Sequence, residues 1–199
     1  FIIMEEYRRI KLNYSNYFVQ KKKLSIKVQS LAVLGSVAAC VILPQIFHLI
    51  GKISGSGTAA GIVFSPMHIP VIVTGLLAGP FAGAAAGLFA PLVSYLISGM
   101  PVAAMLPFMT AELFGYGLAA GFLRCVKIPA AVKVLVSMIA GRVLYMVAAI
   151  VAVFLFKNES VSVLGIWMAV PKCLPGIVLQ LAFIPPFVYW VDSLSEKQN

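Results

Sequence analysis

Charged residues are scarce in this sequence, because only 11% of its 199 residues are Asp, Glu, Lys or Arg. Soluble globular domains carry about 25%. Acidic residues are the scarcest, with six against fifteen Lys and Arg, and 61% of the chain is hydrophobic. The mean hydropathy is +1.01. This composition excludes an ordinary soluble domain and predicts an integral membrane protein.

Cysteine and histidine are also few. The three cysteines, Cys40, Cys125 and Cys173, are odd in number and far apart, so they predict neither a disulfide framework nor a Cys-x-x-Cys metal site. The catalytic patterns Gly-x-Ser-x-Gly, His-Glu-x-x-His, paired Asp and a phosphate-binding loop are missing. We therefore expect no enzymatic activity, no resident cofactor and no metal site.

Proline and glycine interrupt the apolar sequence often enough to divide it into spans of about 20 residues. The sequence therefore predicts an all-α membrane protein with six transmembrane helices, and the second helix, 67–78, is short for a span. Ser65 is the predicted N-cap of that helix, with Pro66 at its first position. The interruptions fall at 51–65, 79–80, 99–107, 127–129 and 157–165.

Basic residues cluster at alternate ends of the predicted spans. The opposite connections carry only Lys52 and Lys157. By the positive-inside rule both termini are cytoplasmic, and the loops 51–65 and 99–107 face outward. No basic stripe or motif indicates nucleic acid as a partner. The cytoplasmic Lys and Arg stand at 8, 9, 11, 21, 22, 23, 27, 124, 127, 133 and 197.

The chain divides into three segments. Residues 1–23 are a cytoplasmic basic and aromatic segment, which either lies on the anionic inner leaflet or is a disordered tail. Residues 24–192 form a six-helix, substrate-binding transmembrane domain, and 193–199 form a cytoplasmic tail. The sequence thus predicts a multi-pass protein of the cell membrane, in contact with its lipid.

Three ionisable residues lie well inside predicted spans: Glu112, Arg142 and Lys172, one on each of the last three helices. An isolated charge at the middle of the bilayer costs about 2.5–3.5 kcal/mol or more, so these side chains should face the bundle interior and one another. Two interpretations stay open, a structural salt-bridge cluster and an outward-facing ligand site.

Methionines lie near these three charged residues, on the same predicted helices or in the adjoining loops. Thioethers pack well against aromatic faces, which suits a flat conjugated ligand, although Met is also an ordinary core filler. His48 and His68 are candidate axial ligands if the ligand is haem. The predicted substrate-binding residues are Met67, His68, Met100, Met105, Met109, Glu112, Tyr116, Arg142, Tyr145, Met146 and Lys172.

Five stretches carry a family resemblance, which covers about residues 30–192. The chain resembles the substrate-binding S components of energy-coupling factor (ECF) vitamin transporters, and the Pro-Met-His-Ile-Pro and Gly-Met-Pro motifs are its most specific part. The stretches are Ser65-Pro-Met-His-Ile-Pro70, Gly75-Leu-Leu-Ala-Gly-Pro80, Pro91-Leu-Val-Ser94, Ser98-Gly-Met-Pro101 and Glu112-Leu-Phe-Gly-Tyr-Gly117.

The resemblance implies a six-helix solute-capturing subunit that works with a transmembrane coupling subunit and two cytoplasmic ATPases. Small residues of helix 1, Ala32, Gly35, Ser36 and Ala39, are similar to the family's coupling-subunit docking face. Rows with this four-residue spacing also suit packing inside the protein.

Within the family, the chain is most similar to members assigned to cobalamin-precursor uptake, of dimethylbenzimidazole or its riboside, and also to members proposed for haem. Two other classes stay open: a self-sufficient proton-coupled carrier that uses Glu112, and an intramembrane enzyme or assembly factor.

Overall fold

The computed structural model describes residues 24–53, 55, 64–156 and 173–196. These residues form helices and no β-strand, which confirms the predicted all-α class. Five of the helices are long and apolar enough to cross a membrane, whereas α2 is shorter, so six spans stay a prediction. The helices are α1 (Ile26–Ile53), α2 (His68–Ala78), α3 (Pro80–Ser98), α4 (Leu106–Leu123), α5 (Ala130–Phe156) and α6 (Leu174–Glu196), with a 3-10 turn at Ala103–Met105.

Several predicted boundaries needed correction. Helix α1 continues to Ile53, and α6 continues to Glu196, past the predicted start of the tail at 193. The prediction of Ser65 as an N-cap is wrong. Met67 takes the cap position, already in helical conformation and without a side-chain cap. The predicted segment 1–23 and the start of the predicted sixth helix, from 166, lie outside the described residues.

The short helix α2 lies at the centre of the bundle. It contacts α1, α3, α4 and α6, and eight of its eleven residues are buried. Eleven residues rise only about 16 Å, against about 30 Å for the hydrocarbon layer. Protein covers α2, so this helix has no need to match the thickness of the lipid.

Glycines bring the backbones of α2, α3 and α4 into contact. A Cβ atom added to Gly83 would overlap the backbone of Gly117, and one added to Gly87 would overlap the backbone of Leu113. A Cβ atom on Gly75 would lie 2.5 Å from the carbonyl oxygen of Gly117. Small residues at helix interfaces allow this close approach. The three helices therefore form one tightly packed unit.

Large apolar side chains cover the outside of the bundle. Phe81, Leu96, Phe122, Phe154 and Phe183 are each more than 60% exposed, as expected for side chains that face lipid tails. The connection between α4 and α5, at 124–129, carries Arg124 and Lys127. It lies at the same end of the bundle as the C-termini of α2 and α6, because residues from all three elements line one small cavity there.

Candidate functional site

Two adjoining cavities meet at the other end of the bundle, and together we call them the chamber. They share Ser65, His68, Arg142 and Cys173. The α5–α6 cavity, of about 300 Å³, is further lined by Tyr116, Leu135, Met138, Ile139, Val143, Met146, Ile177 and Gln180. The methionine cavity, of about 230 Å³, is further lined by Pro44, His48, Pro66, Met67, Ser94, Met100, Pro101, Met105, Met109, Glu112 and Tyr145.

An ion pair lies in the wall of the chamber. Arg142 Nη1 is 3.2 Å from Glu112 Oε1, and the side chains are 26% and 4% exposed. Tyr116 Oη donates a hydrogen bond of 2.5 Å to the same oxygen. Both partners thus meet on the same carboxylate oxygen, Oε1. Arg142 therefore neutralises the carboxylate, and its guanidinium belongs to a residue that lines both cavities.

His68, the first residue of α2, is held against this pair. Its ring meets the Tyr116 ring edge to face, with centroids 4.8 Å apart and an interplanar angle of 70°, an arrangement that aromatic rings favour. The His68 residue is only 6% exposed, and it lines both cavities. It therefore stands at the junction of the two cavities, next to the phenol that bonds Glu112.

A glycine contact between α4 and α5 puts Arg142 within reach of Glu112. Cβ atoms on Gly115 and Gly141 would each run into the facing helix, and one on Gly141 would overlap the Tyr116 ring. The backbones of the two helices therefore meet beside the ion pair. Arg142 directly follows Gly141, so this contact fixes the depth at which its guanidinium enters the chamber.

Sulfur and aromatic groups form much of the wall of the methionine cavity. Tyr145 Oη donates to Met105 Sδ at 3.8 Å, and the Arg142 guanidinium carbon lies 5.8 Å from the centroid of the Tyr145 ring, within cation–π range. The turn that carries Met100 is tied to α3, since Ser94 Oγ donates to its carbonyl oxygen at 2.9 Å. This wall can stack against a flat ring while Arg142 binds an acceptor group.

Ten of the eleven predicted substrate-binding residues line the chamber: Met67, His68, Met100, Met105, Met109, Glu112, Tyr116, Arg142, Tyr145 and Met146. The eleventh, Lys172, lies outside the described residues, although the next residue, Cys173, lines both cavities. His48 lines the methionine cavity. The role of these residues in binding stays a prediction.

Sequence reasoning missed several chamber residues, among them Ser94, Cys173 and Gln180. Cys173 carries no signal of its own, since small residues are common in membrane helices, whereas Ser94 ends one of the stretches that carry the family resemblance. Gln180 does, because it is an amide side chain in an otherwise apolar stretch of α6, and polar groups inside spans tend to have a function.

The small residues of α1 separate into two faces. Ser36 and Cys40 are buried, so their row packs inside the protein. Gly35 and Ala39 line a groove of about 290 Å³ between α1, α2 and α6, and Ser36 also lines it. Ala32 is half-buried and Gly35 is exposed. Of the two rows, the Gly35 and Ala39 row is the one that an outside helix could approach.

A family model described as "ECF transporter, substrate-specific component" matches residues 29–188. No curated protein and no solved structure matches the chain significantly. The matched region includes all the residues that line the chamber. The chain therefore belongs to the substrate-specific components of ECF transporters, which are substrate-binding transport subunits that work with a membrane coupling subunit and ATPases.

Proposed function

We propose that the chamber captures a small, flat, vitamin-like cofactor precursor, a dimethylbenzimidazole or its riboside, for uptake by an ECF importer. The observation that carries this proposal is the Glu112–Arg142 pair with Tyr116 in the wall of a chamber otherwise formed largely by Met, aromatic and aliphatic side chains. The Arg142 guanidinium would donate to the unsubstituted ring nitrogen that the base and its riboside share, with Glu112 holding the guanidinium in place, and the ring faces would stack on thioether and phenol groups.

Chamber size favours this ligand over haem. Taken singly, the two cavities have volumes of about 300 and 230 Å³, which lie at and below the lower limit of about 300 Å³ for ligand pockets. His68, the stronger candidate for an iron ligand, is buried, and its ring packs edge to face against the Tyr116 ring. A bicyclic ring needs less room than a porphyrin and leaves this contact intact.

We propose that the chamber opens outward and that both termini lie in the cytoplasm, with α2 completing a six-helix arrangement. The basic connection at 124–129 lies at the end of the bundle opposite the chamber, and basic residues favour the cytoplasmic side. Residues 1–23 and the C-terminal residues would then face the cytoplasm. In this orientation the chamber receives its ligand from outside the cell.

We propose that the transmembrane coupling subunit docks on the groove that Gly35 and Ala39 line, with two cytoplasmic ATPases as the energy source. Small side chains allow a second helix to approach closely, as close packing in lipid requires. The variant Ala39→Leu should abolish co-purification with the coupling subunit while ligand binding stays unchanged. Retained co-purification would place the docking surface elsewhere.

The ligand is tested with purified wild-type protein. Native mass spectrometry should show a co-purified benzimidazole or its riboside, and calorimetric titration with both compounds should show saturable binding of at least one. An absorption spectrum checks for haem in the same sample. A Soret band, or the absence of binding by both compounds, would overturn the proposed ligand. Uptake that survives deletion of the ATPases would favour a self-sufficient carrier.

A further inference from the structure

Gln180 lines the α5–α6 cavity and is not used by the proposed benzimidazole site. The residue is only 1% exposed, and its amide oxygen has no hydrogen-bond partner among the described residues. Buried polar groups in folded proteins nearly always have a partner. An unpaired amide on a residue that lines a cavity therefore points to a ligand group that pairs with it.

The position of Gln180 gives the distance that such a ligand must span. Gln180 lies seven residues along α6 from Cys173, which lines both cavities, a rise of about 10 Å. Leu135 lies seven residues along α5 from Arg142, which also lines both cavities. Because the two helices run antiparallel, Leu135 and Gln180 lie at the same end of the α5–α6 cavity. This end, which we call the Gln180 end, is about 10 Å from the junction of the two cavities.

We propose that the α5–α6 cavity binds a second, uncharged polar part of the ligand and that Gln180 accepts a hydrogen bond from a hydroxyl group there. This inference rests on the proposed function and narrows its substrate to the riboside. The methionine cavity holds the base, and the sugar lies between α5 and α6. Gln180 is then the residue that distinguishes the riboside from the free base.

The surroundings of Gln180 favour a neutral sugar over a sugar phosphate. The nearby wall is apolar, formed by Leu135, Met138, Ile139 and Ile177. A phosphate at the Gln180 end would lie about 10 Å from Arg142, the one Lys or Arg among the described residues that line this cavity, and an unpaired charge in apolar surroundings is costly. The cavity should therefore accept the riboside and reject its 5′-phosphate.

The test compares wild type with Gln180→Leu in detergent, by calorimetric titration with dimethylbenzimidazole, its riboside and the riboside 5′-phosphate. Wild type should bind the riboside about tenfold more tightly than the free base and bind the phosphate more weakly than the riboside. Gln180→Leu should lower riboside affinity about tenfold and leave base affinity unchanged. The matched control is Gln45→Leu, because Gln45 is exposed on α1 and lines neither cavity.

Each other result overturns the inference. If wild type binds base and riboside equally, the second part of the site is refuted while the proposed function stands. If Gln180→Leu weakens both ligands alike, Gln180 only supports the fold. If neither compound binds wild type, the proposed ligand fails and this inference fails with it. Gln180→Met gives the same comparison if the Leu variant does not fold.

Discussion

Glu112 is the one carboxylate among the described residues that line the chamber, and the proposed ligand site depends on it most. Changing Glu112 to Gln keeps the size of the side chain and a carbonyl acceptor for Tyr116, but it removes the charge. A hydrogen bond to a charged group contributes about 1.5–3 kcal/mol. Glu112 holds the Arg142 guanidinium that donates to the ring nitrogen, so we expect Glu112→Gln to lower riboside affinity by about tenfold or more, as measured by calorimetric titration in detergent.

The matched control for this variant is Asp192→Asn. It makes the same carboxyl-to-amide change near the C-terminus of α6, at the basic end of the bundle. Asp192 lines only the small cavity near the α4–α5 connection. Its substitution should leave affinity unchanged. Equal affinity in wild type and Glu112→Gln would remove Glu112 from the site.

The ion pair also makes a prediction about stability. Arg142→Gln leaves Glu112 buried without its cation, and breaking a buried pair costs about 3–5 kcal/mol. The double variant, with both residues changed to Gln, has no buried charge left at this position. We expect it to unfold at a higher denaturant concentration than Arg142→Gln alone, in detergent at neutral pH. Additive losses in the double-mutant cycle would mean that the two side chains do not interact.

At the level of elements, the crossing of α4 and α5 controls where Arg142 lies. A methyl group at Gly141 would overlap the Tyr116 ring, so Gly141→Ala should push α5 away from α4. Overpacking of this kind costs about 1–3 kcal/mol, and we also expect weaker riboside binding because the ion pair is displaced. Thermal unfolding and titration of the same sample measure both effects.

The control for this change is Gly35→Ala on α1, where nothing lies within 4 Å of the added Cβ. Alanine has a higher helix propensity than glycine by about 1 kcal/mol, so this variant should be as stable as wild type or slightly more so. If both variants behave alike, close packing at Gly141 has no influence on the chamber.

The presence of the helices and the burial of the charged residues inside the bundle could be predicted from the sequence, because both follow from the cost of exposing polar groups to lipid. Because an isolated charge in lipid is costly, Glu112 and Arg142 could be expected to face each other before the arrangement of their helices was known. The contact of Gly141 with Tyr116 could not be predicted, because the sequence does not indicate which residue of a neighbouring helix packs against a given glycine. The two small-residue rows of α1 were equivalent in sequence, and only the positions of α2 and α6 distinguish the buried Ser36 from the exposed Gly35.

For the whole molecule, the separation of the basic end from the chamber predicts the orientation in the membrane. In a cysteine-free background, Val102→Cys, in the connection before α4, should react with a membrane-impermeant maleimide added to intact cells. Lys127→Cys, an exposed position in the α4–α5 connection, should react only after the membrane is opened. The opposite labelling pattern would turn the chamber toward the cytoplasm.

The glycine contacts of α2, α3 and α4 have a further consequence. Those three helices contact each other through backbone atoms, so no side-chain substitution at the contacts can create space. The described residues of α5 and α6 contact each other far less extensively. We therefore expect adaptation to a bulkier or slimmer sugar-side group to proceed through exchanges at Leu135, Ile139 and Ile177, which line the α5–α6 cavity. Libraries aimed at new vitamin specificities should concentrate on these three positions.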